Sequence, residues 1–68
     1  MPIAHIHILQ GRSQEQKKQL ICEVTSAISR SLDAKPESIR VLLHETAREH
    51  WATGGVTKAE EGSAGNER

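Results

Sequence analysis

The chain has 68 residues, nine basic and nine acidic side chains balancing to zero formal charge, one cysteine and one aromatic residue. Charge balance excludes a general nucleic-acid or membrane-surface binder, the single ring of Trp51 supplies no base-stacking platform, and the lone Cys22 excludes an intrachain disulfide. A single domain this short buries little surface, so oligomerisation is the expected source of its stability. No apolar run reaches the length of a membrane span and no secretory pattern is present. With one cysteine suited to a reducing compartment, the chain is expected to be cytoplasmic, with neither nucleic acid nor membrane as a partner.

The first element begins after Met1 and Pro2. Proline lacks an N–H and is tolerated at the first position of a strand. Removal of Met1 would also turn Pro2 into a free secondary amine, a group that no internal residue supplies. Residues 3–9, "IAHIHIL", alternate: Ala4, Ile6 and Ile8 share one face, and Ile3, His5, His7 and Leu9 the other. The pattern predicts a strand, and Gly11 ends it.

Ser13 followed by Gln16 is a capping-box pattern that predicts a helix from Gln14 to Leu32. Leu20, Ile21, Val24, Ala27, Ile28 and Leu32 recur at spacings of three and four and form its apolar stripe. Cys22 lies off that stripe and is expected to be exposed, with no role assigned. Asp33 and Pro36 close the helix. Residues 39–45, "IRVLLHE", alternate again and predict a second strand, with Ile39, Val41 and Leu43 on one face and Arg40, Leu42 and His44 on the other.

Strand, helix, strand is a β-α-β unit of the α/β class, and its strands are expected to be parallel. One helix cannot cover the apolar surface of two strands, so a second copy of the chain is expected to complete the sheet. Residues 47–56, "AREHWATGGV", predict a turn or short hairpin centred on Gly54 and Gly55. The domain is placed at residues 2–56. Residues 57–68 lack an apolar pattern and are expected to form a flexible tail.

"PIAHIHILQGRS", "EQKKQLICEVTSAISRSLDA" and "SIRVLLHE" together resemble the 4-oxalocrotonate tautomerase family, over roughly residues 2–55. The resemblance implies β-α-β protomers that pair into a four-stranded sheet with two helices, and three such dimers in a hexamer. It implies loss of Met1 and use of the Pro2 nitrogen as the catalytic base. Arg40 would stabilise charge developing on an enol oxygen, and Arg12 would hold the far carboxylate of a small-molecule dicarboxylate, from a different subunit. Guanidinium groups suit these tasks because they stay charged and bind carboxylates through paired hydrogen bonds. Trp51 would wall the pocket and desolvate Pro2, and Leu9 would line it. Arg30 and Arg48 read as surface arginines.

The reaction so implied is ketonisation of a 2-hydroxymuconate-type dienol to the conjugated 2-oxo dicarboxylate, with no cofactor, in the breakdown of aromatic compounds. Two alternatives stand beside it. A haloacrylate hydratase or dehalogenase needs a water-activating carboxylate where this chain has Thr53, although Glu45 or Glu49 offers a substitute. A non-catalytic subunit of a mixed hexamer would be expected to lack Pro2 or an arginine, and this chain has Pro2, Arg12 and Arg40. His5, His7 and His44 have metal-ligand chemistry, but no cysteine or carboxylate completes a site, so no metal is expected.

Overall fold

A computed structural model describes residues 1–63. Its elements in chain order are β1 (Ile3–Leu9), α1 (Gln14–Leu32), a 3₁₀ turn (Pro36–Ser38), β2 (Arg40–Thr46), a second 3₁₀ turn (Arg48–His50), β3 (Ala52–Thr53), β4 (Val56–Thr57) and α2 (Lys58–Ser63). The first strand and the long helix have the predicted bounds, and the second strand starts and ends one residue later than expected.

Local chemistry sets the limits of α1. The Ser13 hydroxyl accepts from the Gln16 N–H at 3.1 Å, and the Gln16 side chain accepts from the Ser13 N–H at 3.1 Å. Both ends of the capping box are therefore made, and two otherwise orphaned helix donors are satisfied. At the other end Asp33 turns left-handed at φ 55, and its N–H donates to the Ser29 carbonyl. Aspartate is among the few residues that adopt this conformation readily.

β1 and β2 pair in parallel, with Ile3 opposite Arg40, His5 opposite Leu42, His7 opposite His44 and Leu9 opposite Thr46. The register assigns each strand a face. Ala4, Ile6, Ile8, Val41 and Leu43 are half-buried on one side, and Leu20, Ile21, Val24, Ala27 and Ile28 of α1 are half-buried in turn. Leu32, predicted to end this stripe, is the last residue of the helix and is 63% exposed. On the other face Ile3 is 57% and Leu42 41% exposed.

No described residue is fully buried. Native chains place apolar side chains such as isoleucine and leucine inside. Two strands and a helix form a layer pair with one uncovered side, which is an incomplete core.

The expected hairpin is present between β3 and β4, with Thr53 opposite Val56. Gly54 and Gly55 take φ 63 and φ 83. Positive φ at both central positions gives the turn whose twist matches the strands it joins.

Of the segment expected to be a flexible tail, residues 57–63 carry regular structure, and residues 64–68 lie outside the described residues. The cause is a second capping box. The Thr57 hydroxyl accepts from the Glu60 N–H at 3.2 Å, and Glu60 Oε1 accepts from the Thr57 N–H at 2.9 Å. Thr57-x-x-Glu60 is the capping signature, legible without any apolar periodicity.

Candidate active site

Pro2 is half-buried just before β1. Its carbonyl accepts a hydrogen bond from the Arg40 N–H at 3.0 Å. Proline cannot donate to a sheet ladder, but its carbonyl can accept, so it starts the parallel pairing without a break. The Arg40 side chain is exposed, and its Nη1 donates to Met1 Sδ at 3.5 Å. Met1 itself is 78% exposed. The N-terminal proline and the first arginine of β2 thus occupy one end of the sheet.

The remaining predicted residues gather at the other end. Leu9 is the last residue of β1 and is half-buried, and Arg12 follows in the exposed turn that leads to Ser13. Gly11 sits in this turn at φ 124, in open space, so backbone conformation rather than crowding calls for glycine. Leu9, Gln10, Gly11 and Arg12 line a cleft of ≈ 270 Å³ together with Arg48. Arg48, read from sequence as a surface arginine, is brought there by the 3₁₀ turn after β2. No spacing rule marks it. It lies far from Arg12 in sequence and meets it only because β1 and β2 are parallel and end side by side.

Trp51 follows that turn and is half-buried. Its carbonyl accepts from the Lys58 N–H at 2.8 Å, which folds the hairpin back at the start of α2. Arg48 Nη2 donates to the Lys58 carbonyl at 3.2 Å, fixing the same junction.

The two groups of residues do not meet within one chain. Pro2 and Arg40 are separated from Leu9 and Arg12 by the length of β1, roughly 20 Å at the rise of an extended strand. That span exceeds the length of a six-carbon dicarboxylate about twofold. A site containing both ends has to be assembled from more than one copy.

Glu45 sits opposite Ile8, one position from Leu9, near the same end of the sheet. It faces α1, where its Oε2 pairs with Lys17 Nζ at 3.1 Å. A carboxylate held in that pair is poorly placed to activate water for a haloacrylate.

The histidines form a separate cluster on the uncovered sheet face. His44 stacks on His5 and on His7, with ring centroids 5.1 and 4.6 Å apart. His5 Nδ1 and His44 Nε2 are 2.9 Å apart, so one of these nitrogens donates and the other accepts. Among the described residues no group of three or more metal-ligating side chains is arranged to hold an ion. No described helix is long and apolar enough to cross a membrane.

A small chain of one parallel β-α-β unit with a short hairpin has the fold of the tautomerases, as comparison with known proteins shows. Residues 2–61 match the family model described as tautomerase enzyme. The 2-hydroxymuconate tautomerase of Pseudomonas putida is 62% identical over 55 residues, which span 81% of this chain and 87% of the relative. A 4-oxalocrotonate tautomerase isozyme from Methylibium petroleiphilum superposes with a TM-score of 0.90 at 36% identity, covering 93% of this chain and 98% of that one. A heterohexamer 4-oxalocrotonate tautomerase from Chloroflexus aurantiacus superposes with a TM-score of 0.85 at 33% identity, covering 88% and 97%. The chain belongs to the tautomerase family and is a tautomerase enzyme.

Proposed function

We propose that the enzyme ketonises 2-hydroxymuconate-type dienols to conjugated 2-oxo dicarboxylates, with the amine of Pro2 carrying the proton. The observation that carries this reading is the hydrogen bond from the Arg40 N–H to the Pro2 carbonyl. It joins the only residue able to become a basic secondary amine at the chain start to a permanent cation.

In the first step the Pro2 nitrogen, free once Met1 is removed, takes the proton of the substrate's 2-hydroxyl. The negative charge passes to the oxygen and along the conjugated chain. A guanidinium such as that of Arg40, aimed at the developing oxyanion, lowers the barrier because it needs no reorganisation as charge forms. The resulting prolinium then protonates a distant carbon, and the amine is restored. The oxygen's electron pair closes the α-carbonyl as the conjugated chain gives its own pair to the new C–H bond, so the residues named complete the proton balance without a cofactor.

Arg12, from another copy, holds the remote carboxylate, and Leu9 and Trp51 form the apolar wall. The separation of the Pro2 end from the Arg12 end supports this division between chains. So does the exposed apolar face bearing Ile3 and Leu42. We infer a four-stranded dimer assembled into a homohexamer. The heterohexamer relative makes a mixed assembly the competing arrangement. A cytoplasmic site of action fits the exposed free thiol of Cys22.

The test is ketonisation of 2-hydroxymuconate by protein whose N-terminal residue is established by mass, with Pro2→Ala alongside. Fast turnover by the Pro2-terminated protein is expected, reduced at least about a hundredfold in the variant. Equal turnover by protein that retains Met1 would remove the amine from the mechanism. Turnover only after addition of a second, different chain would establish the mixed assembly.

A further inference from the structure

We propose that Arg48 is a specificity-determining residue, holding the substrate's remote carboxylate jointly with Arg12. The inference rests on the dicarboxylate reading above and assigns that reading a second cation.

Arg12 and Arg48 line the same ≈ 270 Å³ cleft, with Leu9, Gln10 and Gly11 completing it. Among the described residues no carboxylate is paired with either guanidinium. Two permanent like charges on one small cleft repel unless an anion lies between them. A carboxylate is the anion that a planar guanidinium fits best, through parallel N–H donors.

The Arg48 side chain is held in place. Nη2 donates to the Lys58 carbonyl at 3.2 Å, and the guanidinium carries more N–H donors than this single bond uses. The carbonyl neutralises none of the charge. It restricts a long side chain that would otherwise lose rotamer freedom when a ligand arrives. Arg12 occupies the turn after β1 with no such tether among the described residues. Arg48 is therefore the preorganised half of the pair and Arg12 the adaptable half.

The competing account makes Arg48 a brace between the second 3₁₀ turn and α2. The two accounts differ in what they do to ligands of different charge. Muconate and sorbate share a conjugated carbon chain, but sorbate lacks the second carboxylate. Binding of each is measured by calorimetry to the unaltered protein, Arg48→Ala and Arg48→Lys, with thermal unfolding recorded for each. Arg48→Ala is expected to weaken muconate about tenfold, the scale of a hydrogen bond to a charged group, and to leave sorbate unchanged. Arg48→Lys is expected to recover part of the loss, since it keeps the charge and loses the paired geometry. In steady-state ketonisation the same loss is expected in KM, with kcat retained, because the remote carboxylate is bound equally before and during proton transfer.

Equal weakening of both ligands would overturn the proposal in favour of the brace. Unchanged muconate binding in Arg48→Ala, or no muconate binding by the unaltered protein, would overturn it outright. Failure of the activity reading is separable, since it would appear as absent ketonisation with the muconate–sorbate contrast intact.

Discussion

The Arg40 N–H donates to the Pro2 carbonyl at 3.0 Å, while the Arg40 side chain reaches Met1 Sδ at 3.5 Å. One bond needs only backbone atoms and survives removal of Met1. The other disappears with Met1 and frees the guanidinium. Removal of Met1 would therefore create the proposed base and release the neighbouring cation in one event.

Arg40→Ala is expected to lower kcat about a hundredfold or more, with a smaller change in KM, because the cation acts on charge present mainly in the transition state. The backbone bond to Pro2 is retained in the variant, so the strand pairing remains. Steady-state kinetics on 2-hydroxymuconate decides the matter: an unchanged kcat with a raised KM would assign Arg40 to binding alone.

Trp51→Ala is expected to move the acid limb of the kcat/KM profile to higher pH. If Trp51 of another copy walls the Pro2 amine as proposed, the ring disfavours the charged amine, and its loss lets water stabilise that form. An unmoved profile would leave Trp51 as an anchor of the hairpin, where its carbonyl accepts from Lys58 at 2.8 Å.

Leu42→Glu is expected to reduce the assembly mass and abolish turnover together. Leu42 is 41% exposed on the uncovered sheet face, and a charge there would have to be desolvated when another subunit covers it. Sedimentation analysis and the ketonisation assay on the same sample provide the check. A fully active monomer would contradict a site built from both ends of β1.

Ser13→Ala is expected to cost about 1 kcal/mol, the usual worth of an N-cap hydroxyl. Denaturant unfolding at one fixed protein concentration measures it, since assembly makes stability depend on concentration. A loss of only a few tenths would mean that the Gln16 N–H finds water as readily as it finds Ser13.

Lys17 and Glu45 are expected to couple by less than about 1 kcal/mol in a double-mutant cycle, because both ends of the pair still touch solvent. The coupling should shrink further in high salt. Retention of the full coupling in high salt would show that the pair is shielded by another subunit.

The sequence by itself determined the β-α-β order, because its signals are local. Alternation over 3–9 and 39–45 and a three-four apolar spacing in α1 each arise within one element. Ser13 and Gln16 mark the start of the helix for the same reason, and Thr57 and Glu60 carry the same mark for α2, with no apolar pattern around it. Pro2, Leu9, Arg12, Arg40 and Trp51 were legible as candidates through resemblance to the family. Tertiary structure alone decided which of them are neighbours. Parallel pairing of β1 with β2 puts Pro2 beside Arg40 and carries Leu9 and Arg12 to the far end. The same pairing delivers Arg48 to Arg12 across a long stretch of chain. No local pattern encodes such a meeting, because strand direction and register depend on contacts between segments distant in sequence. The division of the proposed site between copies has the same origin: a fully paired strand is too long for one substrate to reach both its ends.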